Sequence, residues 1–452
     1  MAGLTVAHRM ALSTLLERAP DAMLNSLSMA VQGLSGDRAE ELRIMLARQL
    51  LDRRRRALVL GPLIPMFRPR ADGVRAVTWP AGVLGRLWEV AGAREPELLP
   101  SLDDADGPMV VPVSDRICLT AATIVRDTPE LIWPVDDAPE RRLTGLNDLA
   151  VSLDLVPVLR KRISSLQAWV KRPDEDQLAE LRLLLRDCTA VHPDGARRAL
   201  DVLFAHLDDA VLVLRIIALT AGGAGRERFV QSSEMAGFVD DLLVQVRVRV
   251  ARIVAFRPGE GQVDDLIDDL KWCAAALTEV DVTLDPSRGG QWGEESRACR
   301  KALDSRLAAL LRATNQAVAK GFAMEKVAIT GQMTRPQPLL SAPADGPAPR
   351  LAVDLLKIVG ALRGPAAVFG VEADRAGAVE ILTIKLTDWA DQAMSEVNDD
   401  GVEDLPNALR LVSMAADGLE ALGRGGAAST VRRRVAVARM RQPKAEVSSE
   451  AA

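Results

Sequence analysis

The chain has 452 residues, of which 48% are apolar and only 3% aromatic, with no tyrosine. A core of that make-up is leucine, valine, alanine and isoleucine, which suits helix-on-helix packing and argues against a β-sandwich or barrel. The net charge of −5 gives no general pull toward nucleic acid or an anionic membrane, and four scattered cysteines (Cys118, Cys188, Cys273, Cys299) point to free thiols in a reducing compartment.

At the N-terminal end, Met10 to Leu16 is too short and too polar for a signal peptide. Asp21 opens a helix with apolar positions Leu24, Leu27, Val31 and Leu34. Ser35-Gly36-Asp37 ends it and starts a second helix, through Leu42, Met45, Leu46, Leu50 and Leu51 to about Leu60, where Gly61-Pro62 stops it. Arg53-Arg54-Arg55-Arg56 lies near its end, where cations favour the helix dipole. From Pro62 to Pro139 the pattern is less regular. Short strands are expected near Val74–Trp79 and Met109–Val113, with short helices as the alternative.

The central stretch, 139–331, reads as a helical array. Leu178, Leu181, Leu184, Leu185 and Cys188 trace one stripe. Further helices are expected over Ala196–Leu207, from Asp208 through Ile217, and over Ser296–Val327. Ala210–Ala221 is the most apolar segment, but Arg215 interrupts it and it falls short of the ~20 residues a membrane span needs. Phe238–Phe256 carries two competing patterns. Val244, Val246, Val248 and Val250 alternate as in a strand, while Val239, Leu242, Leu243, Val246, Val250, Ile253 and Val254 recur with helical period. The length of the segment favours a helix. Asp-Asp pairs at 208, 240 and 264 each precede an amphipathic stretch, a faintly repeat-like feature that good helix-capping chemistry also explains.

Between Gln332 and Arg350 lie Pro336, Pro338, Pro343, Pro347 and Pro349. A linker or extended loop is expected over 332–350. Helical pattern returns over Leu351–Leu362, Ala373–Val397 and Leu405–Leu422, and residues 443–452 read as a frayed tail. The predicted fold is therefore all-α: an irregular multi-helix array or bundle with a less regular N-terminal region (1–138), a central array (139–331), the proline linker, and a C-terminal helical domain (351–442).

One acidic constellation could carry chemistry. Asp264, Asp265, Asp268 and Asp269 place carboxylates one helical turn apart, where a magnesium ion bridging a diphosphate would relieve their repulsion. This stretch resembles the aspartate-rich motif of the all-helical isoprenyl diphosphate synthases, and Asp136-Asp137-Ala138-Pro139-Glu140 with Arg141-Arg142 echoes that family's first motif. The resemblance implies a magnesium-dependent enzyme acting on a diphosphate. It covers about a dozen residues, Pro139 and Glu140 depart from the pattern, and no Gly-Lys-x-Arg segment precedes it. Helix-start chemistry accounts for the same aspartates.

Other catalytic signatures are missing. Cys188 and His192 are one turn apart but lack further ligands for zinc. Three histidines and no G-x-S-x-G elbow give no basis for a hydrolase triad. The glycine-rich stretches Gly222–Arg226 and Gly423–Gly426 match no phosphate loop and read as helix-ending loops. At the C-terminal end, Arg432, Arg433, Arg434, Arg439 and Arg441 form a basic patch beside Val431, Val435 and Ala438. It is able to meet nucleic acid, an anionic surface or an acidic partner. An acidic block over Glu95–Glu140 offers a complement within or between chains.

The expected function is thus a cytoplasmic, non-enzymatic helical interaction protein. It would be a scaffold, adaptor or regulator with a protein partner, possible homo-oligomerisation and no cofactor. The magnesium-dependent enzyme and the arginine-mediated nucleic-acid or anionic-surface binder stand as alternatives.

Overall fold

The computed structural model describes residues 4–134, 138–171, 174–221, 230, 233, 235–284, 290–330, 333–399 and 402–440. Among them the chain is predominantly α-helical, with one two-stranded sheet. It divides into two compact units: Met1–Gly223 with Ser232–Met235, and Ala224–Gln231 with Ala236–Ala452. The expected boundary at the proline segment instead falls inside the second unit.

The first unit opens with α1 (Val6–Arg18), α2 (Asp21–Gln32) and α3 (Asp37–Leu60). Thr5 caps α1 by accepting from the His8 amide. The amide of Leu4 donates to Glu41 (2.8 Å), while Arg53 reaches the carbonyls of Leu16 and Glu17 (both 2.8 Å). Both contacts join residues close to 37 positions apart, so α1 runs parallel to α3. α2 returns between them, and Gly36, at φ 115°, supplies the left-handed turn. Their shared core has only four fully buried members, Leu16, Leu24, Val31 and Leu46.

Beyond this trio come α4 (Ala81–Arg94), α5 (Val110–Asp127), short α6 (Pro129–Ile132), α7 (Pro139–Trp169), α8 (Glu175–Val191), α9 (Gly195–Ala205) and α10 (Leu212–Ala221); α3 packs on α5, α5 on α4 and α7, and α7 on α8 and α9. Neither strand expected here forms. Residues 74–80 are extended coil, with the Trp79 amide on the Met66 carbonyl and its indole on the Gly145 carbonyl (both 2.9 Å). Met109–Val113 enters α5, where Val110, Val113, Ile117 and Ala121 are buried with the period of a helix, not of a strand. Arg160 of α7 closes the end of α3 by donating to the carbonyls of Leu58 (2.5 Å) and Val59 (3.1 Å).

The second unit contains α11 (Ala236–Ala255), α12 (Val263–Leu284), α13 (Gln291–Gly321), a hairpin of β1 (Met324–Thr330) and β2 (Met333–Pro338), α14 (Pro347–Ala361), short α15 (Pro365–Val368), α16 (Glu372–Asn398), α17 (Leu405–Ala421) and α18 (Gly425–Met440). In α11 the residues Val239, Leu242, Leu243, Val246, Val250 and Ile253 are buried, while Val244 and Val248 are exposed, as is Val254 at the end of the expected stripe. The 3.6-residue period decided that segment. α13 buries Leu303, Leu307, Leu310, Thr314 and Val318 as expected but ends at Gly321, not Val327. α14 packs closely at that point, since a Cβ on Gly321 would lie 2.8 Å from the Ala348 carbonyl oxygen.

The proline segment is a structured element in place of the expected linker. β1 and β2 pair antiparallel with Met324 opposite Pro338, Lys326 opposite Pro336 and Val327 opposite Arg335. Pro347 and Pro349 sit in the first turn of α14, where backbone N–H groups have no intrahelical acceptor. Buried Asn407 fixes the connecting loop. Its side chain donates to the carbonyls of Leu340 (3.1 Å) and Ala342 (2.8 Å) and accepts from the Ala344 amide (2.9 Å).

Candidate interaction surface

The aspartate-rich start of α12 is divided by burial. Asp264, Asp265 and Asp268 are exposed, whereas Asp269 is buried. Asp269 accepts a bidentate pair from Arg252 (2.9 and 2.7 Å) and a third bond from Arg249 (3.1 Å). Arg249 also lies over the Trp272 ring, 4.2 Å from its centroid. Guanidinium groups from α11 thus offset the local negative charge. A cleft of about 420 Å³ beside it is lined by Arg252, Phe256, Gln262, Asp265, Asp268 and Asp269. Among the described residues no group of three or more Cys, His, Asp or Glu is placed to hold a metal ion. Asp136 and Asp137 lie outside the described residues.

The basic patch on α18 meets acids of its own unit. Arg432 pairs with Asp417 (2.7 Å) and with Glu420, and Arg434 pairs with Asp391. Arg433 and Arg439 are exposed, and Arg441 lies outside the described residues. Val431, Val435 and Ala438 are buried, so the apolar side of α18 packs inward. The earlier arginine run is similarly engaged. Arg53 binds Asp21 (2.5 Å), and Arg55 makes a bidentate pair with Asp103 (2.7 and 2.8 Å).

Histidines and cysteines have local structural roles. His192 Nδ1 accepts from the Asp194 amide (3.1 Å) in the turn after α8, and His206 Nε2 lies 2.8 Å from the Pro62 carbonyl. Burial pushes the thiols of Cys118, Cys188 and Cys273 up to about 12, which leaves them without thiolate character near neutral pH. Gly423, at φ 78°, ends α17, consistent with a helix-terminating loop. The other glycine-rich stretch, from Gly222, lies outside the described residues.

Between α7 and α9 is a buried charge cluster. Arg198 bridges Asp201 (2.7 Å) and Asp148 (3.2 Å). Burial raises the Asp201 carboxyl to about 6, against the attraction of Arg198 and Arg197. The cluster joins two helices, with the Asp201 side chain 3% exposed and its partners Arg198 and Asp148 half-buried.

The first 44 residues differ from all of this. Among the described residues, seven of the thirteen large apolar side chains that are more than half exposed lie here: Val6, Met10, Leu15, Met23, Met29, Leu34 and Ile44. From Ala22 to Gly36 the chain has no charged residue. Leu24 and Val31 point α2 into the small core, so the opposite arc carries Ala22, Met23, Ser26, Met29 and Ala30, all exposed. On α1 the outward stripe is Val6, Met10 and Thr14, likewise exposed. Loss of charge together with exposed methionine sets this stretch apart from the charged helix faces elsewhere in the chain. The charge-free run was visible in the sequence, but assigning Leu34 to a buried stripe concealed it.

Comparison with protein-family models, with curated proteins and with solved structures found no match.

Proposed function

We propose that this chain is a helical interaction protein that engages a protein partner through the outward faces of α1 and α2. One observation supports this above the rest: a charge-free run of fifteen residues, Ala22 to Gly36, whose outward side leaves Met23, Met29 and Leu34 exposed. In a chain with 26% charged residues such a run is costly to leave in water. The trio's small core makes the cost more acute, because little inside holds these helices in place.

The test is photocrosslinking in cells, with benzoylphenylalanine at Met23 or Met29 and at exposed Glu97 as a control. Discrete protein adducts from positions 23 and 29, absent from position 97, are the expected result. No adduct from either position refutes the reading.

A further inference from the structure

We propose that the outer edge of β1 takes up an extended peptide as a third strand, antiparallel to β1, with an arginine or lysine opposite Glu325 and an apolar residue opposite Val327. This surface belongs to the second unit and is independent of the α1–α2 face.

The backbone provides the site. The register of the hairpin is regular from Met324 to Ala328 and shifts after it. The Leu339 amide donates to the Ala323 carbonyl (2.9 Å). Inward and outward backbone groups alternate along an antiparallel strand, so Glu325 and Val327 turn theirs toward β2, while Met324, Lys326 and Ala328 turn theirs away. Pro338 and Pro336 stand opposite Met324 and Lys326, where no N–H toward β1 is required. β2 packs on α16, and Met324 to Ala328 are all exposed. Among the described residues the sheet has no third strand. The outward N–H and carbonyl groups of three alternate residues are thus left for an incoming strand, the arrangement on which peptides add to a sheet.

Charge selects the occupant. On one face of the hairpin Glu325 and Gln337 are directly opposed, and both line a cavity of about 490 Å³. Glu396, Glu403 and Asp404 line the same cavity, and no basic side chain does. Arg335 approaches Glu396 at 3.9 Å from a position 58% exposed. Glu325 and Glu403 have no ion-pair partner among the described residues. A residue opposite Glu325 on an added strand has its Cβ about 5 Å from that of Glu325. An arginine or lysine there meets Glu325 directly and extends over the other acids of the cavity. Val327, on the same face and 37% exposed, is covered by an apolar residue two positions away. Lys326 projects from the opposite face and is matched by an acid between them. The strand that fits therefore reads apolar, acidic, basic. An acid in place of the basic residue would keep the backbone bonds but bring like charges together at Glu325.

Fluorescence polarisation with the full chain and the labelled peptide Ser-Thr-Val-Glu-Arg-Thr-Ser is the test. Saturable binding below about 1 mM is expected. N-methylation of the peptide's threonines and glutamate, whose N–H groups face β1, is expected to abolish it. N-methylation of the valine and arginine, whose N–H groups face away, is expected to preserve it. Glutamate in place of the peptide's arginine is expected to weaken binding about tenfold, and Glu325→Arg, at an exposed position, to reverse that preference. Lys326→Pro removes the central outward N–H and spares the bonds between β1 and β2. It is expected to abolish binding while leaving the circular-dichroism spectrum unchanged. No saturation by about 1 mM overturns the inference. So do equal binding by the two methylated peptides, no preference for arginine over glutamate, a preference that Glu325→Arg leaves unchanged, or a folded Lys326→Pro chain that binds as wild type does. A wild-type dimer in ultracentrifugation that Lys326→Pro converts to monomer would assign the edge to a second copy and overturn it as well.

Discussion

Replacing Asp269 with alanine tests whether the start of α12 is held together by ion pairing. The Asp269 carboxylate is 10% exposed and Arg249 only 12%, whereas Arg252 is 57% exposed. Once the carboxylate is gone, Arg252 turns into water at little cost. Arg249 stays packed between α11 and α12 against Trp272 and loses its bond to the carboxylate. Removing one partner of a buried pair costs about 3 kcal/mol. Because the chain has two units, a global unfolding midpoint is the wrong measure, and hydrogen exchange of peptides from 236–284 reads the opening of these helices directly. About 3 kcal/mol corresponds to roughly 150-fold faster exchange. Asp264→Ala and Asp265→Ala, at exposed positions, are expected to change it by about 0.5 kcal/mol or less, through the first-turn dipole alone. Arg249→Met combined with Asp269→Ala should lose less than the sum of the two single changes, since both remove the same Arg249–Asp269 pair. Equal effects from Asp264→Ala and Asp269→Ala would refute the reasoning.

Two further predictions concern packing and pH. Asp201 has its carboxyl raised to about 6 by burial, above the ordinary 3.8, so the folded chain holds a proton that the unfolded chain releases. Its contribution is complete below about pH 4 and is lost as pH rises through about 6. The urea midpoint of the first unit should therefore fall between pH 5 and pH 7, and Asp201→Asn should flatten that dependence. Two glycine-to-alanine changes should have opposite signs. A Cβ on Gly360 would collide with the Ala421 carbonyl oxygen, so Gly360→Ala should cost several kcal/mol. Gly377, in open space on α16, should give about 0.5–1 kcal/mol of added stability as alanine, both read by thermal unfolding.

The helices were legible wherever burial alternates with the helical period. α11 is the clearest case, because Val244 and Val248 are exposed just where a strand would need them inside. The proline segment was misread for a physical reason. Each of its prolines occupies a position where an N–H is not needed. Pro336 and Pro338 are two apart on β2, so both N–H positions lie on the side away from β1. Pro343 closes a turn with the Gly346 amide, and Pro347 and Pro349 start α14. Proline count alone cannot distinguish these positions from a linker. The aspartates at 264–269 were visible as a cluster. Which one is buried depended on Arg249 and Arg252, some twenty residues earlier, and no local pattern contains that information. The exposed face of α1 and α2 was hidden because a periodic apolar pattern shows that a helix has a buried side without showing whether the rest of it is covered.

The two prolines of β2 also give the hairpin a direction. Its outer margin lacks hydrogen-bond donors at positions 336 and 338 and so cannot template another strand, while β1 presents Met324–Thr330 with every amide intact. A sheet with one receptive side that closes against another β1 becomes a four-stranded unit with β2 on both margins, and then has nowhere to grow. Strand addition at this hairpin is self-terminating, which protects a chain with an exposed ribbon from polymerising into fibres.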